Sequence, residues 1–197
     1  MIFFTADNHF GHANIIEYAR RPFSSVEEMD AVMVDNWNRV VNPDDTVYLL
    51  GDFAIVTRYS DVAEAFARLN GKINVVPGGR DKFWVNQKRT RRGELSTRTG
   101  HYVRVMPAIM EFDTCIRWSD GKTKRIALSH YPLVSWDKAV YNAWMFHGHL
   151  HGRTGGIGLS LDVGVDTHRF TPWSLDEAVE WMRSIEKNYD PIEHYPD

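Results

Sequence analysis

The chain of 197 residues is poor in cysteine and in long apolar runs. Its single cysteine, Cys115, cannot form an internal disulfide, so nothing in the sequence requires an oxidising compartment. No apolar run approaches the roughly 20 residues that a membrane span needs. The opening MIFFTAD reaches an acid at Asp7, too early for a signal peptide. We therefore expect a cytoplasmic protein without a membrane partner.

The chain also lacks an excess of positive charge, since its net charge is −3, which argues against wholesale nucleic-acid binding. The charge is unevenly distributed, however, because residues 80–104 contain eight arginines and lysines but only two acids. This basic segment is either a solvated helix and loop or a local field that attracts a phosphate-bearing substrate.

Apolar residues make up 43% of the sequence, enough for one substantial core, and no linker divides the chain, so we expect a single domain over 1–197. Predicted strands cover residues 2–6, 46–50, 73–76, 107–118, 123–129, 144–146 and 158–165, with a turn at 119–122. Predicted helices cover residues 12–20, 26–41, 61–69 and 83–92, with a last helix from Ser174 to about Glu186. Strands alternate with helices in the first half and dominate the second, which predicts an α/β fold.

Polar residues capable of binding a metal follow several of the predicted strands. They are Asp7 and His9 in ADNH, Asp52 in LLGD, His130 in ALSHYP, and His149 and His151 in GHLHG. In α/β sheets, ligands bind outside the ends of strands. Because imidazole and carboxylate suit manganese, iron, zinc and nickel, this set predicts a metal site.

The ordered combination of DxH, GD, SH and GHxH resembles the calcineurin-like metallophosphoesterases, over the chain from Asp7 to about Asp166. The stretch TADNHFGHANII is similar to a small bacterial and phage branch of that family. The resemblance implies a four-layer α-β-β-α sandwich of two mixed sheets flanked by helices. It also implies two divalent metal ions, manganese first, with iron, zinc or nickel as alternatives. The first metal would be held by Asp7, His9 and His151 and the second by His130 and His149, with Asp52 bridging both.

The stretch VVPGGRDKF, residues 75–83, departs from the family's third motif, which is usually GNH followed by an acid. Gly79 offers no amide ligand, which would weaken the second metal site. Arg80 does not release a proton at accessible pH, but it can pair with phosphate oxygens. A lipid-A-pathway branch of the family also carries an arginine there. His12, in FGH, is a candidate for the missing proton donor.

The reaction implied by the resemblance is phosphoester hydrolysis by a metal-bridging hydroxide. Losing a general acid costs about 100- to 10,000-fold in rate. We therefore expect phosphodiesters, such as 2′,3′-cyclic nucleotides, rather than alkyl phosphomonoesters. One alternative is a nuclease or nucleic-acid-end processing enzyme that uses the basic segment. Another is a catalytically weak or inactive protein that binds metal or nucleotide.

Several other residues carry lesser predictions. Trp84 is the candidate for stacking on a nucleotide base. Arg153 is expected to be solvated, although it directly follows GHLHG and could reach a substrate. Arg20 and Arg21 are expected to be solvated, and His147 is expected to be structural.

Overall fold

The computed structural model describes residues 1–117, 123–154, 156–187 and 189. The strands are β1 (Ile2–Thr5), β2 (Thr46–Leu49), β3 (Lys72–Val75), β4 (Arg104–Val105), β5 (Ile109–Arg117), β6 (Thr123–Ser129), β7 (Trp144–His147), β8 (Ser160–Asp162) and β9 (Trp173–Ser174). The α-helices are α1 (Asn14–Tyr18), α2 (Val26–Val40), α3 (Tyr59–Ala67), α4 (Lys82–Val85), α5 (Lys88–Arg91) and α6 (Leu175–Glu186). Among the described residues, no helix combines the length and the apolar character needed to cross a membrane.

The strands form two mixed sheets. The first has the order β4-β3-β2-β1-β9, in which β1 to β4 are parallel and β9 is antiparallel to β1. The second has the order β5-β6-β7-β8, in which only β5 and β6 are antiparallel. The predicted α/β class with two mixed sheets and helices is confirmed at this level.

The two sheets face each other across an aromatic core. Phe4 of β1 packs edge-on against Phe146 of β7, with ring centroids 4.9 Å apart. Tyr48 of β2 stacks on Phe112 of β5 at 5.3 Å. Because side chains alternate along a strand, the neighbours of Phe4 and Tyr48 point to the opposite face of the first sheet.

Helices α2 and α3 cover that opposite face. Met29, Met33 and Trp37 of α2 are buried there with Val62 and Phe66 of α3. These residues recur at helical spacing in the sequence, so burial of one helix face explains why these segments are helical.

The last helix, α6, begins with a capping box between Ser174 and Glu177, in which each side chain bonds the backbone N–H of the other residue. Its residues Ala178 and Met182 join the core between the sheets. At the start of α2, Ser25 accepts from the Glu28 N–H as predicted, but the Glu28 carboxylate accepts from Ser24.

Two of the predicted elements differ from the structure, and one prediction is not tested by it. The helix predicted over 83–92 is wrong as a single element, because α4 and α5 are separated at Gln87, which has an extended backbone. The strand predicted over 158–165 is formed only at β8. The turn predicted at 119–122 lies outside the described residues.

Candidate metal centre

The residues predicted to bind metal converge where the strand ends of the two sheets meet. Asp7, His9 and Asp52 follow β1 and β2 of the first sheet, and His130, His149 and His151 follow β6 and β7 of the second. A parallel bridge between Ala6 and Gly164 connects the chain after β1 to the chain after β8. The site is therefore assembled from both sheets.

Two glycines allow the strand ends to approach this closely. A Cβ on Gly148 would lie 2.5 Å from the Cβ of Ala6 and 2.6 Å from Asp7 Oδ2. A Cβ on Gly78 would lie 2.5 Å from Asp52 Oδ1. All three distances are too short for a real Cβ contact, so the positions of the Asp7 and Asp52 carboxylates depend on glycine at residues 148 and 78.

Five of the six residues have a left-handed backbone. The φ angles are +57° at Asp7, +54° at His9, +51° at Asp52, +72° at His149 and +51° at His151. This region is uncommon for residues other than glycine, and such residues concentrate at functional sites. The backbone conformation thus sets this cluster apart from ordinary polar strand ends.

Two groups of ligand atoms each converge within 4.8 Å. One group is Asp7, His9 and His151, which are the three residues predicted for the first metal. The other is Asp7, Asp52 and His130. Asp7 is therefore shared between the groups, whereas the sequence predicted sharing by Asp52.

Asp52 nevertheless faces both groups. Its Oδ2 lies 3.8 Å from His9 Nε2, and its Oδ1 lies 3.6 Å from His130 Nε2. His149 belongs to neither group, but its ring centroid is 5.2 Å from that of His130, and its backbone N–H donates to Asp7 Oδ2. The exposed imidazole of His149 lies beside the group of Asp7, Asp52 and His130, where it could supply a further ligand.

Three of these atoms are buried without a hydrogen-bond partner: Asp7 Oδ1, His9 Nε2 and His130 Nε2. Buried polar atoms are nearly always paired in folded proteins, because leaving one unpaired costs about 1–3 kcal/mol. Cations bound by the two groups would satisfy these atoms, because each of the three belongs to one or both groups. The buried group of Asp7, Asp52 and His130 could hold a metal ion.

Burial and neighbouring charges shift the pKa values of Asp7, His9 and His149 toward their neutral forms. Burial raises the pKa of Asp7 well above its usual value, and the nearby charge of Asp162 adds to the effect. Burial lowers the pKa of His9 to about 2, helped by His151 and Arg21. Burial likewise lowers the pKa of His149. Imidazoles that stay neutral are free to bind a metal through nitrogen.

Hydrogen bonds fix the orientation of two of the imidazoles. His130 Nδ1 lies 2.8 Å from the carbonyl oxygen of Leu50, which leaves Nε2 directed at Asp52. His151 Nδ1 lies 2.7 Å from Asp166 Oδ2. Such partners fix the tautomer and direction of metal-binding histidines in proteins.

The prediction that Arg21 is solvated is wrong. Its side chain is fully buried and forms a two-pronged ion pair with Asp166, at 2.8 and 2.9 Å. It also donates to the carbonyl oxygens of Asp7 and Asn8. Arg21 therefore connects the chain after β1 to the carboxylate that orients His151.

Asp166 and Arg21 were not among the residues predicted for the site. Asp166 directly follows the strand predicted over 158–165, so the rule that polar residues follow strands could have found it. Nothing in the local sequence distinguishes Arg21 from Arg20, since the contacts of Arg21 are made with distant residues.

Asp81 holds the ends of β2 and β3 together. It is completely buried, and its carboxylate accepts hydrogen bonds from the backbone N–H groups of Asp52, Phe53 and Gly78 and from the indole of Trp84. Trp84 is itself completely buried, so the prediction that it stacks on a nucleotide base is wrong.

Arg80 is exposed at the edge of the site, and its backbone N–H donates to Asp52 Oδ1 at 2.8 Å. His12 is half-buried, with its Nδ1 3.3 Å from that of His9. Burial lowers the pKa of His12, and the charge of Arg80 lowers it further. Both residues therefore border the cluster without belonging to either group of converging ligand atoms.

The remaining predictions concern Arg153 and His147. Arg153 donates to the carbonyl oxygen of Tyr18, which holds its guanidinium on α1. His147 is completely buried, with Nδ1 2.9 Å from the carbonyl oxygen of Gly148.

The basic segment borders an open groove of about 910 Å³ beside the edge strand β4. Arg91, Arg92, Arg104 and the exposed Tyr102 line it. Proteins that bind single-stranded nucleic acids use grooves that contain cations and aromatic rings.

No protein-family model matches the chain. The uncharacterized protein MJ1445 of Methanocaldococcus jannaschii is 32% identical over 187 residues, which cover 91% of this chain and 89% of that protein. The Gene 66 protein of Mycobacterium phage D29 is 24% identical over 204 residues, covering 94% of this chain and 98% of that protein. The Gene 66 protein of Mycobacterium phage L5 is 45% identical over 51 residues, 26% of this chain and 24% of that protein.

A solved structure has the same overall fold. It is the protein of unknown function AQ665 from Aquifex aeolicus, with a TM-score of 0.65 and 22% identity. The alignment covers 92% of this chain and 98% of that one. At this identity, the likeness concerns the fold.

Proposed function

The chain belongs to the family of the uncharacterized protein MJ1445, and from the geometry of its metal centre we propose that this family member is a metal-dependent phosphodiesterase. The observation that carries the proposal is the pair of ligand groups that share Asp7, with buried atoms left unpartnered in both. Carboxylate and imidazole ligands in two adjacent groups are typical of sites that hold two divalent cations.

We assign the fold within this proposal to the calcineurin-like phosphoesterases. Two facing mixed sheets with α2 and α3 outside the first sheet are compatible with the four-layer α-β-β-α sandwich of that family. The order of the ligands along the chain also supports this assignment.

In the proposed site, two cations would be held by Asp7, His9, His151, Asp52, His130 and His149. Bound there, the cations supply Lewis acidity and an activated water at neutral pH. Other residues of the chain orient the groups that would bind the cations. Asp166 and Leu50 keep two imidazoles oriented, and Asp81 holds the backbone that presents Asp52.

Arg80 favours phosphodiesters as the substrate class. In hydrolysis, a P–O bond forms to water and the ester P–O bond breaks, so the leaving oxygen must be stabilised or protonated. A guanidinium can stabilise the charge on phosphate oxygens but does not release its proton. Esters with good or strained leaving groups, including 2′,3′-cyclic nucleotides, need that proton least.

His12 is the proposed source of a proton where one is needed. It is half-buried beside His9 and close enough to Arg80 for that charge to lower its pKa. Because a lowered pKa favours the neutral imidazole, His12 would protonate a leaving group only at acidic pH, which again limits the range of substrates.

The test compares bis-p-nitrophenyl phosphate with p-nitrophenyl phosphate in the presence of Mn²⁺. We expect the diester to be hydrolysed at least about tenfold faster than the monoester, and we expect a chelator to abolish both activities. The matched control is Asp52→Asn, which keeps the shape of the side chain and should be inactive. If neither ester turns over with manganese, iron, zinc or nickel, the proposal is wrong.

A second candidate, a nuclease, is favoured by the groove beside β4. Its arginines and Tyr102 could follow a nucleic-acid backbone toward the strand ends. Metal-dependent degradation of single-stranded DNA or RNA that outpaces the small diester would favour this candidate. Metal binding without turnover of any of these substrates would instead favour a binding protein.

A further inference from the structure

The absence of a side chain at Gly79 leaves space for a hydroxyl group. A Cβ built on Gly79 would lie 2.8 Å from the Tyr131 hydroxyl, closer than real Cβ contacts. A side chain at position 79 and the hydroxyl in its present position therefore exclude each other. Gly79 does not have a left-handed backbone, so the backbone alone does not demand glycine here.

The ring of Tyr131 is held in place by two of the metal-centre histidines. Its centroid lies 4.7 Å from that of His130 and 4.8 Å from that of His149, with edge-on geometry in both cases. Tyr131 follows His130 directly, so the end of β6 positions both residues together. Packing on two rings fixes the hydroxyl against the Gly79 backbone.

Tyr131 is nevertheless partly accessible to solvent. The residue is 47% exposed and lies beside the exposed imidazole of His149. Among the residues that the structure describes, none forms a hydrogen bond with the Tyr131 hydroxyl. Arg80, the residue after Gly79, is also exposed at this edge. A neutral donor and a cation thus stand beside the ligand group that contains His130.

We propose that Tyr131 is a substrate-binding residue whose hydroxyl donates a hydrogen bond to a phosphoryl oxygen of the ester. This inference rests on the proposed phosphodiesterase function. A phenol is neutral at physiological pH and can donate without losing its proton. Hydrogen bonds to an anionic oxygen are about twice as strong as those between neutral groups. Gly79 is then required because it leaves the position of this donor open.

The assignment also explains how a site without an amide at position 79 can still bind phosphate. The hydroxyl occupies the space where a side chain of residue 79 would begin. Together with Arg80, it directs one donor and one cation at the phosphate. Neither group is assigned to the leaving oxygen, which agrees with a preference for diesters.

The test measures the affinity of inorganic phosphate for the Mn²⁺-loaded protein by calorimetry, with Mn²⁺ affinity measured separately. We expect Tyr131→Phe to weaken phosphate binding about tenfold, as for loss of one hydrogen bond to an anion, and to leave Mn²⁺ affinity unchanged. Gly79→Ala should weaken phosphate binding similarly, because the new methyl group displaces the hydroxyl. Tyr141→Phe, at a more exposed tyrosine, is the control and should match the wild type.

A double variant distinguishes this inference from two unrelated effects. When Tyr131→Ala has removed the ring, adding Gly79→Ala should cost no further affinity, since no hydroxyl remains to be displaced. Additive losses, an unchanged Tyr131→Phe variant, or a parallel loss of Mn²⁺ would each overturn the role of Tyr131. If the wild-type protein hydrolyses diesters but one of these three outcomes is found, the role of Tyr131 is wrong and the proposed phosphodiesterase function still stands. If the wild type binds Mn²⁺ but neither phosphate nor diester, the proposed function fails with it.

Discussion

Five of the predicted ligand residues have a left-handed backbone, a conformation that lowers the stability of the fold at each of these positions. A residue other than glycine in this conformation is destabilised by roughly 1 kcal/mol or more. Long-range hydrogen bonds within the site offset part of this destabilisation, including the bond from the His149 N–H to Asp7 Oδ2. The backbone conformation and such bonds together help to set the direction of these five side chains.

Substitutions at Arg80 test whether its guanidinium acts on the substrate phosphate. Arg80→Ala should lower kcat/KM for a phosphodiester about 100-fold, because a guanidinium aimed at the phosphate stabilises charge in the transition state. Arg80→Lys keeps the charge but loses the planar fork, so part of the activity should remain. Steady-state kinetics with bis-p-nitrophenyl phosphate measure both effects.

The control for Arg80 is Arg92→Ala, at an exposed position of the basic segment. If Arg92→Ala lowers kcat/KM as much as Arg80→Ala does, the general field of the segment is responsible. An unchanged rate in Arg80→Ala would remove this residue from the mechanism.

Among the contacts between secondary-structure elements, those of Asp81 connect the ends of β2 and β3 to α4. Asp81→Ala would leave four donors without their partner in a buried position. We expect the free energy of unfolding to fall by about 3 kcal/mol or more. Urea denaturation measures this loss, and Mn²⁺ binding should weaken in the same variant.

Two further variants check the explanation. Asp81→Asn keeps one acceptor oxygen and should lose less stability than Asp81→Ala. Asp35→Ala, at an exposed aspartate of α2, should change stability by less than about 0.5 kcal/mol. A loss below about 1 kcal/mol in Asp81→Ala would contradict the role given to the four hydrogen bonds.

Elements with strong local signals were the ones that the sequence could predict. The first three strands end in polar residues after short apolar runs, and α2 and α6 begin at Ser25 and Ser174, which cap them. The same rule of polar residues after strands located the six residues that the structure brings together. These signals depend only on residues adjacent in the chain.

The parts that could not be predicted depend on distant contacts. Thr90 of α5 donates to the carbonyl oxygen of Trp84, and its hydroxyl lies 3.1 Å from that of Tyr59 on α3. These contacts fold α5 back on α4, which a helical pattern over 83–92 does not reveal. Strands β4 and β9 have two residues each, too few for a periodic signal. Likewise, Tyr131 meets Gly79 only in the folded chain.

For the molecule as a whole, the metal centre joins the two sheets. Mn²⁺ at 100 times its dissociation constant would stabilise the fold by about 2.7 kcal/mol per site. For a chain of this length, each kcal/mol raises Tm by about 2–4 °C. We therefore expect each Mn²⁺ ion bound under these conditions to raise Tm by about 5–10 °C and a chelator to reverse the shift, as measured by scanning calorimetry.

Asp52→Asn is the matched variant for this experiment, since its oxygen can still accept from the Arg80 N–H. Its Tm without metal should be close to that of the wild type, whereas its rise with Mn²⁺ should be smaller. A rise of equal size in both proteins would show that Mn²⁺ stabilises the fold at some other place.

The division of the ligands between two sheets also matters during synthesis on the ribosome. Asp7, His9 and Asp52 emerge early with β1 and β2, while His130, His149 and His151 emerge only after β6 and β7. Strand β9, which completes the first sheet beside β1, emerges later still. A nascent chain would therefore hold only half of these residues until His130 emerges, and all six only once His151 is free. Binding of a metal by the complete set of six residues would consequently be a late event, after both sheets have been synthesised as far as His151.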